Sequence, residues 1–181
     1  MSEVYKRLQR LEKRIHEEGF TTPTGIGSEI PHYVFDYPPE EELQVRLYVP
    51  SLIQRSTVDI KEINLFQFLL NLFEDELDEL LEISEEEGYE GIVDVVETML
   101  DEQDTLVDTF IEEAGEAEIL FITGVGNSFP FLRSSQILKM LSNAAYRKPI
   151  VLFYPGHFTG LELRLFNRLN NEDQYQLSRI S

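Results

Sequence analysis

Apolar residues recur at Val4, Leu8, Leu11 and Ile15, spacings that place them on one face of a helix over Ser2 to Glu18, with Gly19 as its stop. A Thr/Pro/Gly-rich loop follows over 21–29. His32 to Phe35 then reads as a short strand ending at Asp36, before Tyr37-Pro38-Pro39. A helix over Glu40 to Leu52 starts with acidic residues that suit the helix dipole, and Pro50 is expected to kink or end it. Val58, Ile60 and Ile63 mark a second strand over Thr57 to Ile63. The widest apolar stripe, Phe66, Leu69, Leu70, Phe73, Leu77, Leu80 and Leu81, predicts one helix from Leu65 to Ile83, capped by Asn64 and turned to the core. Gly88 and Gly91 punctuate the chain. Helical pieces follow over Ile92 to Leu100 and Thr105 to Ala114, with a break over 101–104.

The final third changes period. Glu118 to Val125 is a continuous apolar run suited to a strand buried on both faces, followed by Gly124-Val125-Gly126-Asn127-Ser128 and an amphipathic helix over Pro130 to Ala145. Pro149 to Tyr154 is a second buried strand, ended by Pro155-Gly156. Leu161 to Phe166 and Gln174 to Ile180 supply short strands around a turn at 170–173. Helices alternating with buried strands predict an α/β helix/sheet sandwich over 1–181. Its central sheet would be mostly parallel, Rossmann-like or degenerate P-loop-like, with about five strands.

Charge divides this picture in two. The net charge is -19, yet no Lys or Arg lies between Lys61 and Arg133, a gap holding 21 acidic residues. The remainder is therefore about +2, with seven basic and three acidic residues from Arg133 onward. A free-standing phosphate-backbone binder is excluded. The absence of cysteine removes disulfides, thiol nucleophiles and Cys-based metal sites. No apolar segment has the length of a bilayer span, so a soluble, cytoplasmic chain is expected. Two readings of the acidic helical segment, 62–117, stand side by side. It is either a set of solvated helix faces or a docking surface for a basic partner, with Glu85, Glu86, Glu87, Glu112 and Glu113 as candidate contacts.

In an open α/β sheet ligands bind at the carboxyl ends of strands. The turn after Ile122 is the most suggestive such place, because free N–H groups at a helix start attract anions. Gly124, Gly126, Asn127 and Ser128 are the candidate anion-binding residues, with Arg133 one turn into the helix. The phosphate-loop lysine is missing, and Phe129 stands where the dinucleotide fingerprint needs its third glycine. Asp36, at a strand end, has no second carboxylate at metal-ligand spacing. His157 could join Asp36 or Ser128 in a triad, but no Gly-x-Ser-x-Gly turn exists. No catalytic set, metal site or cofactor is assigned. Arg164 and Arg168, four apart, are a candidate basic contact.

From Gly124 onward the chain resembles the BrxB family of small proteins from bacteriophage-exclusion (BREX) systems. The resemblance is carried by Phe121 to Gly126, Phe129-Pro130-Phe131-Leu132-Arg133-Ser134, Val151-Leu152-Phe153-Tyr154-Pro155-Gly156, Leu163-Arg164-Leu165-Phe166 and the closing Tyr175 to Ile180. Val34 to Glu42 and the helix start after Ile63 are also similar. The match is strongest over 118–181. It implies a place in a multi-gene anti-phage system containing a DNA methyltransferase, a large ATPase and a phosphatase-superfamily protein, PglZ. It implies no enzymatic activity. The expectation is a non-enzymatic adaptor that binds other BREX proteins, PglZ first, then the large ATPase or the methyltransferase, touching DNA only through the complex; self-association into a homodimer is left open. The alternatives are a degenerate nucleotide-binding domain at Gly124 to Ser128 and a DNA-contacting subunit of the assembled complex.

Overall fold

The computed structural model describes residues 1–22, 32–101, 105–129, 131–159, 163–165, 169–171 and 177–181, with 163–165 and 169–171 described by backbone alone. Helix α1 (Glu3–Ile15) begins at Ser2, whose hydroxyl accepts from the Tyr5 N–H, and buries the expected Val4, Leu8, Leu11 and Ile15. Each such burial contributes about 2 kcal/mol. Strand β1 (His32–Tyr37) leads through a 3-10 turn at Pro39–Glu41 into α2 (Glu42–Arg55). Contrary to expectation, Pro50 neither ends nor breaks α2, which runs five residues beyond it. Pro50 is exposed, as is Arg46, whose carbonyl the proline deprives of its helical partner. Glu12 joins the two helices. It accepts from Arg55 Nε and Nη2, each at 2.6 Å, and from the Tyr48 hydroxyl. The Arg55 hydrogen bonds hold the Glu12 carboxyl below its ordinary pKa despite some burial. His16 extends the link to Ser56, 2.8 Å away.

Strand β2 (Ile60–Asn64) passes directly into α3 (Leu65–Leu72), capped as predicted by Asn64, whose Oδ1 accepts from the Gln67 N–H. The single helix expected over Leu65 to Ile83 is in fact two. Phe73 leaves the helical region at ψ 23°, and a 3-10 turn at Glu74–Glu76 precedes α4 (Leu77–Asp101). A continuous helix would set like charges four apart, Glu74 with Asp78 and Asp75 with Glu79, which disfavours it. Helix α4 is itself bent at Gly88 (φ 74°, ψ -165°). Then come α5 (Leu106–Ala114), β3 (Ile119–Thr123), a single turn α6 (Val125–Ser128) and α7 (Ser134–Asn143). Helix α7 starts later than the predicted Pro130, which lies outside the described residues.

Strand β4 (Ile150–Phe158) runs through Pro155-Gly156 rather than ending there. Up to Pro155 it pairs in parallel with β1, and from Gly156 it pairs antiparallel with β5 (Leu163–Leu165). Pro155 thus falls where one ladder ends and the other begins. Strand β5 turns into β6 (Leu169–Asn171), an antiparallel extension, and β7 (Ser178–Arg179) closes the sheet beside β1.

The parallel part of the sheet is ordered β2-β3-β4-β1-β7, the five strands expected. Side chains alternate between two cores, as a period of two requires. Phe35, Phe121, Val151 and Phe153 face α1 and α2. Val34, Leu120, Ile122, Leu152 and Tyr154 face α3, α4, α5 and α7. The result is a three-layer sandwich, and the acidic segment builds most of one outer layer.

Candidate functional site

At the carboxyl ends of β1, β2, β3 and β4 two adjoining crevices of about 100 Å³ each lie between Tyr37, Glu42, Arg46, Glu62, Asn64, Thr123, Gly124 and Pro155. Gly124 is forced by geometry. Its φ of 71° is left-handed, and a Cβ there would fall inside the Asn64 side chain. Gly124, Gly126 and Asn127 therefore do meet at this crevice, and α6 is one turn of four residues. Two of the predicted companions stand elsewhere. Ser128 is fully buried, its hydroxyl 3.0 Å from the Val125 carbonyl and 2.9 Å from that of Leu132, so it closes the loop onto itself. Neither Asn127 nor Ser128 caps α7. Arg133 does not stand one turn into that helix but is its N-cap residue, where its N–H donates to Gln136 Oε1 at 2.8 Å. The Arg133 guanidinium lies over the Phe129 ring, in a separate cleft with Glu97 and Asp101.

The groups that face the crevice were not singled out by motif. The Tyr37 hydroxyl donates to Glu42 at 2.5 Å, Arg46 Nη2 donates to Glu42 at 3.4 Å, and the Thr123 hydroxyl donates to Glu62 at 2.8 Å. Burial, then the Glu42 contact, pushes the Tyr37 phenol far above its ordinary pKa, so it stays a donor. With two carboxylates against one guanidinium, the crevice carries the wrong sign for a phosphate. Glu42 and Arg46 are four apart in the helix that follows β1, a spacing that the strand-end rule could have flagged.

Asp36 is the centre of a second constellation. It is 5% exposed, and both carboxylate oxygens accept from protein donors. Oδ1 accepts from Arg7 Nη2 at 3.1 Å and Arg179 Nε at 3.0 Å; Oδ2 accepts from Arg179 Nη2 at 2.7 Å and the Phe158 N–H at 3.1 Å. Arg7 also donates to the Asp36 carbonyl at 2.6 Å and lies over the Phe35 ring, and Arg179 donates to the Phe158 carbonyl. Exposed His157 approaches Oδ2 at 3.7 Å through Nδ1. Helix α1, β1, β4 and the closing β7 are joined at this point. Residues 7, 36 and 179 are distant in sequence, and only the adjacency of β1 and β7 reveals them as partners.

The acidic layer is the third feature. Glu85, Glu86, Glu87, Glu112 and Glu113 are all exposed. On the opposite layer the surface charges pair locally, as in Arg10–Glu3, Arg14–Glu17 and Arg55–Glu12. Among the described residues only Lys61 and Lys148 reach the acidic segment, at Glu113 (3.7 Å) and Glu116 (3.9 Å). In this layer the stripe expected to be core is divided. Leu69, Phe73 and Leu80 are buried, Phe66, Leu70 and Leu77 half-buried and Leu81 exposed, and all seven line an open groove of about 180 Å³. The bend at Gly88 brings Ile92 and Val96 back as the facing wall, and Phe131, packed edge-on against Tyr89 at 5.9 Å, helps to line it. Of the partner candidates on the basic side, Arg164 lies in β5 opposite His157, described by backbone alone, and Arg168 is outside the described residues.

Fold and surface together define a three-layer α/β protein with a tied strand-end hub and a predominantly acidic outer layer. The description "BREX protein BrxB" matches residues 61–180, and the chain belongs to this family, a component of BREX phage-defence systems. It is 30% identical over 189 residues to "BREX protein BrxB" of Bacillus cereus (strain H3081.97), covering 99% of this chain and 98% of the relative. It is 26% identical over 180 residues to "BREX protein BrxB" of Escherichia coli O9:H4 (strain HS), covering 96% and 90%. No solved structure matches the chain. Among the described residues no helix is long and apolar enough to cross a membrane.

Proposed function

We propose that this protein is a non-enzymatic adaptor of its BREX system, holding other system proteins through its acidic layer. The observation that carries this reading is the charge asymmetry. Local ion pairs neutralise the α1–α2 layer, while among the described residues the glutamates of α4 and α5 other than Glu113 have no basic partner and are left to water or to another molecule. A protein surface of opposite sign compensates such a layer and gains association rate from it. The family resemblance makes the PglZ-type protein the first candidate partner and the large ATPase the second.

The test is to mix the purified protein with each system component and measure complex formation by size-exclusion chromatography over a salt series. At least one component is expected to co-elute at low salt, with affinity falling as sodium chloride rises through the range where the Debye length shrinks below about 10 Å. Failure of every component to bind at low salt would remove the adaptor reading.

A further inference from the structure

The groove in the acidic layer has the features of a seat for a particular kind of peptide. Its walls are mostly helix side chains, all apolar but Ser84, and include Phe66, Leu70, Leu77, Leu81, Ile92 and the loop residue Phe131. Leu81 is 64% exposed, and Tyr89, which packs on the lining Phe131, is 59% exposed. A cavity of about 150 Å³ lined by aliphatic and aromatic groups holds a benzene ring. At about 180 Å³ this groove accommodates one large apolar anchor, with Leu81 and Tyr89 extending the contact beyond it. Among the described residues no strand edge lines it, so an added β-strand would find no backbone partners there, whereas the face of a helix needs none.

The rim decides the chemistry of the occupant. Glu74, Asp75, Asp78, Glu82, Glu85 and Glu86 are exposed in α4 and the turn before it, and this whole stretch of chain lacks Lys and Arg. A second copy of the chain would bring the same acidic rim against itself, which costs several kcal/mol for close like charges. We propose that the groove seats an amphipathic helix of a partner protein, with a large apolar anchor on one side flanked by Lys and Arg. This rests on the adaptor reading and adds to it the face, the anchor and the sign of the partner. Apolar burial would supply the holding contact, and the acidic rim would select basic helices over acidic ones.

The full-length protein is titrated with three fluorescein-labelled peptides of about 18 residues, roughly 27 Å long as helices. One is a Leu/Lys sequence with leucines at i, i+3, i+4 and i+7, one has the same composition scrambled to abolish the apolar face, and one is the patterned sequence with Glu for Lys. The patterned basic peptide is expected to bind at least tenfold more tightly than either control. Leu81→Gln, at an exposed position and expected to fold normally, should weaken it several-fold, and Leu81→Gln with Leu70→Gln by tenfold or more. Equal binding of the scrambled peptide, or unchanged binding by the Leu81→Gln variant, would overturn the groove proposal, because charge alone would then explain the association. The same variants are carried into the mixing experiment with BREX components. If Leu81→Gln and the double variant bind a component as tightly as the unaltered protein does, the adaptor reading stands and the groove proposal fails. If no component binds the unaltered protein, the adaptor reading fails, and the peptide series by itself decides the groove.

Discussion

At the scale of single residues, two buried polar groups give opposite lessons about cost. His32 opens β1, is 7% exposed, and its Nε2 has no hydrogen-bond partner among the described residues. Burial pulls its pKa from the ordinary 6.5 down to about 4. Between those values the unfolded chain takes up a proton that the folded chain refuses, so stability falls as pH drops from 6.5 towards 4 and levels off below. From pH 7 to pH 5 the loss is about 2 kcal/mol. A comparison with His32→Phe isolates this contribution: urea midpoints at pH 7 and pH 5 should show the unaltered protein losing about 2 kcal/mol more than the variant. The same pH dependence in both would rule out His32 as the source. Asp36 is the satisfied case. Asp36→Asn leaves Arg7, largely buried, without its counter-ion, and should cost about 3 kcal/mol in urea unfolding at pH 7. A loss below about 1 kcal/mol, the ordinary worth of an exposed pair, would mean that the hub is an incidental surface contact.

At the scale of elements, the bend in α4 is where local backbone and surface shape meet. Gly88 combines φ 74° with ψ -165°, a region almost closed to residues with a Cβ. A Cβ built there touches nothing within 4 Å, so Gly88→Ala tests backbone conformation alone. It should lower stability by about 2 kcal/mol, read from thermal unfolding, and weaken the patterned peptide by displacing the Ile92 wall. An unchanged melting temperature would show that the bend relaxes freely. The same contrast explains which elements were legible in the sequence. Helix α1, β3 and the cap at Asn64 follow from local period and capping chemistry, and the structure has them. What escaped depended on neighbours distant in sequence. Pro50 is tolerated because it faces water, and β4 passes through Pro155 because its partner changes there. The predicted stripe on α3 and α4 reads as core until the fold leaves Leu81 exposed and Phe66, Leu70 and Leu77 only half-buried. The glycine turn after β3 was found by motif, but its companions Tyr37, Glu42 and Glu62 arrive from other strand ends, and Arg133 is carried away by the loop between α6 and α7.

For the whole molecule, the layered division of charge makes salt act in two opposed directions. Within the isolated protein the 21 acidic residues between Lys61 and Arg133 repel one another with little internal compensation, and screening that repulsion should stabilise the fold. Raising sodium chloride from about 20 to 300 mM should therefore lift the melting temperature by several degrees, since about 1 kcal/mol corresponds to some 2–4 °C for a chain of this size. The same screening removes the attraction between this layer and a basic partner, so the complex should weaken over the range in which the protein becomes more stable. Glu85→Lys, Glu86→Lys and Glu87→Lys combined supply the control. All three positions are exposed, and reversing them lowers the repulsion and the attraction together, so both salt slopes should flatten. A triple variant that keeps the steep salt dependence of binding but loses that of melting would place the partner elsewhere on the molecule. The C-terminal hairpin with Arg164 would then be the surface to examine, with an acidic ligand. A variant that flattens both ties the charge of the acidic layer to its use as an interface, because towards 300 mM salt a charge lying farther from the partner than a Debye length, then below about 8 Å, is largely screened from it.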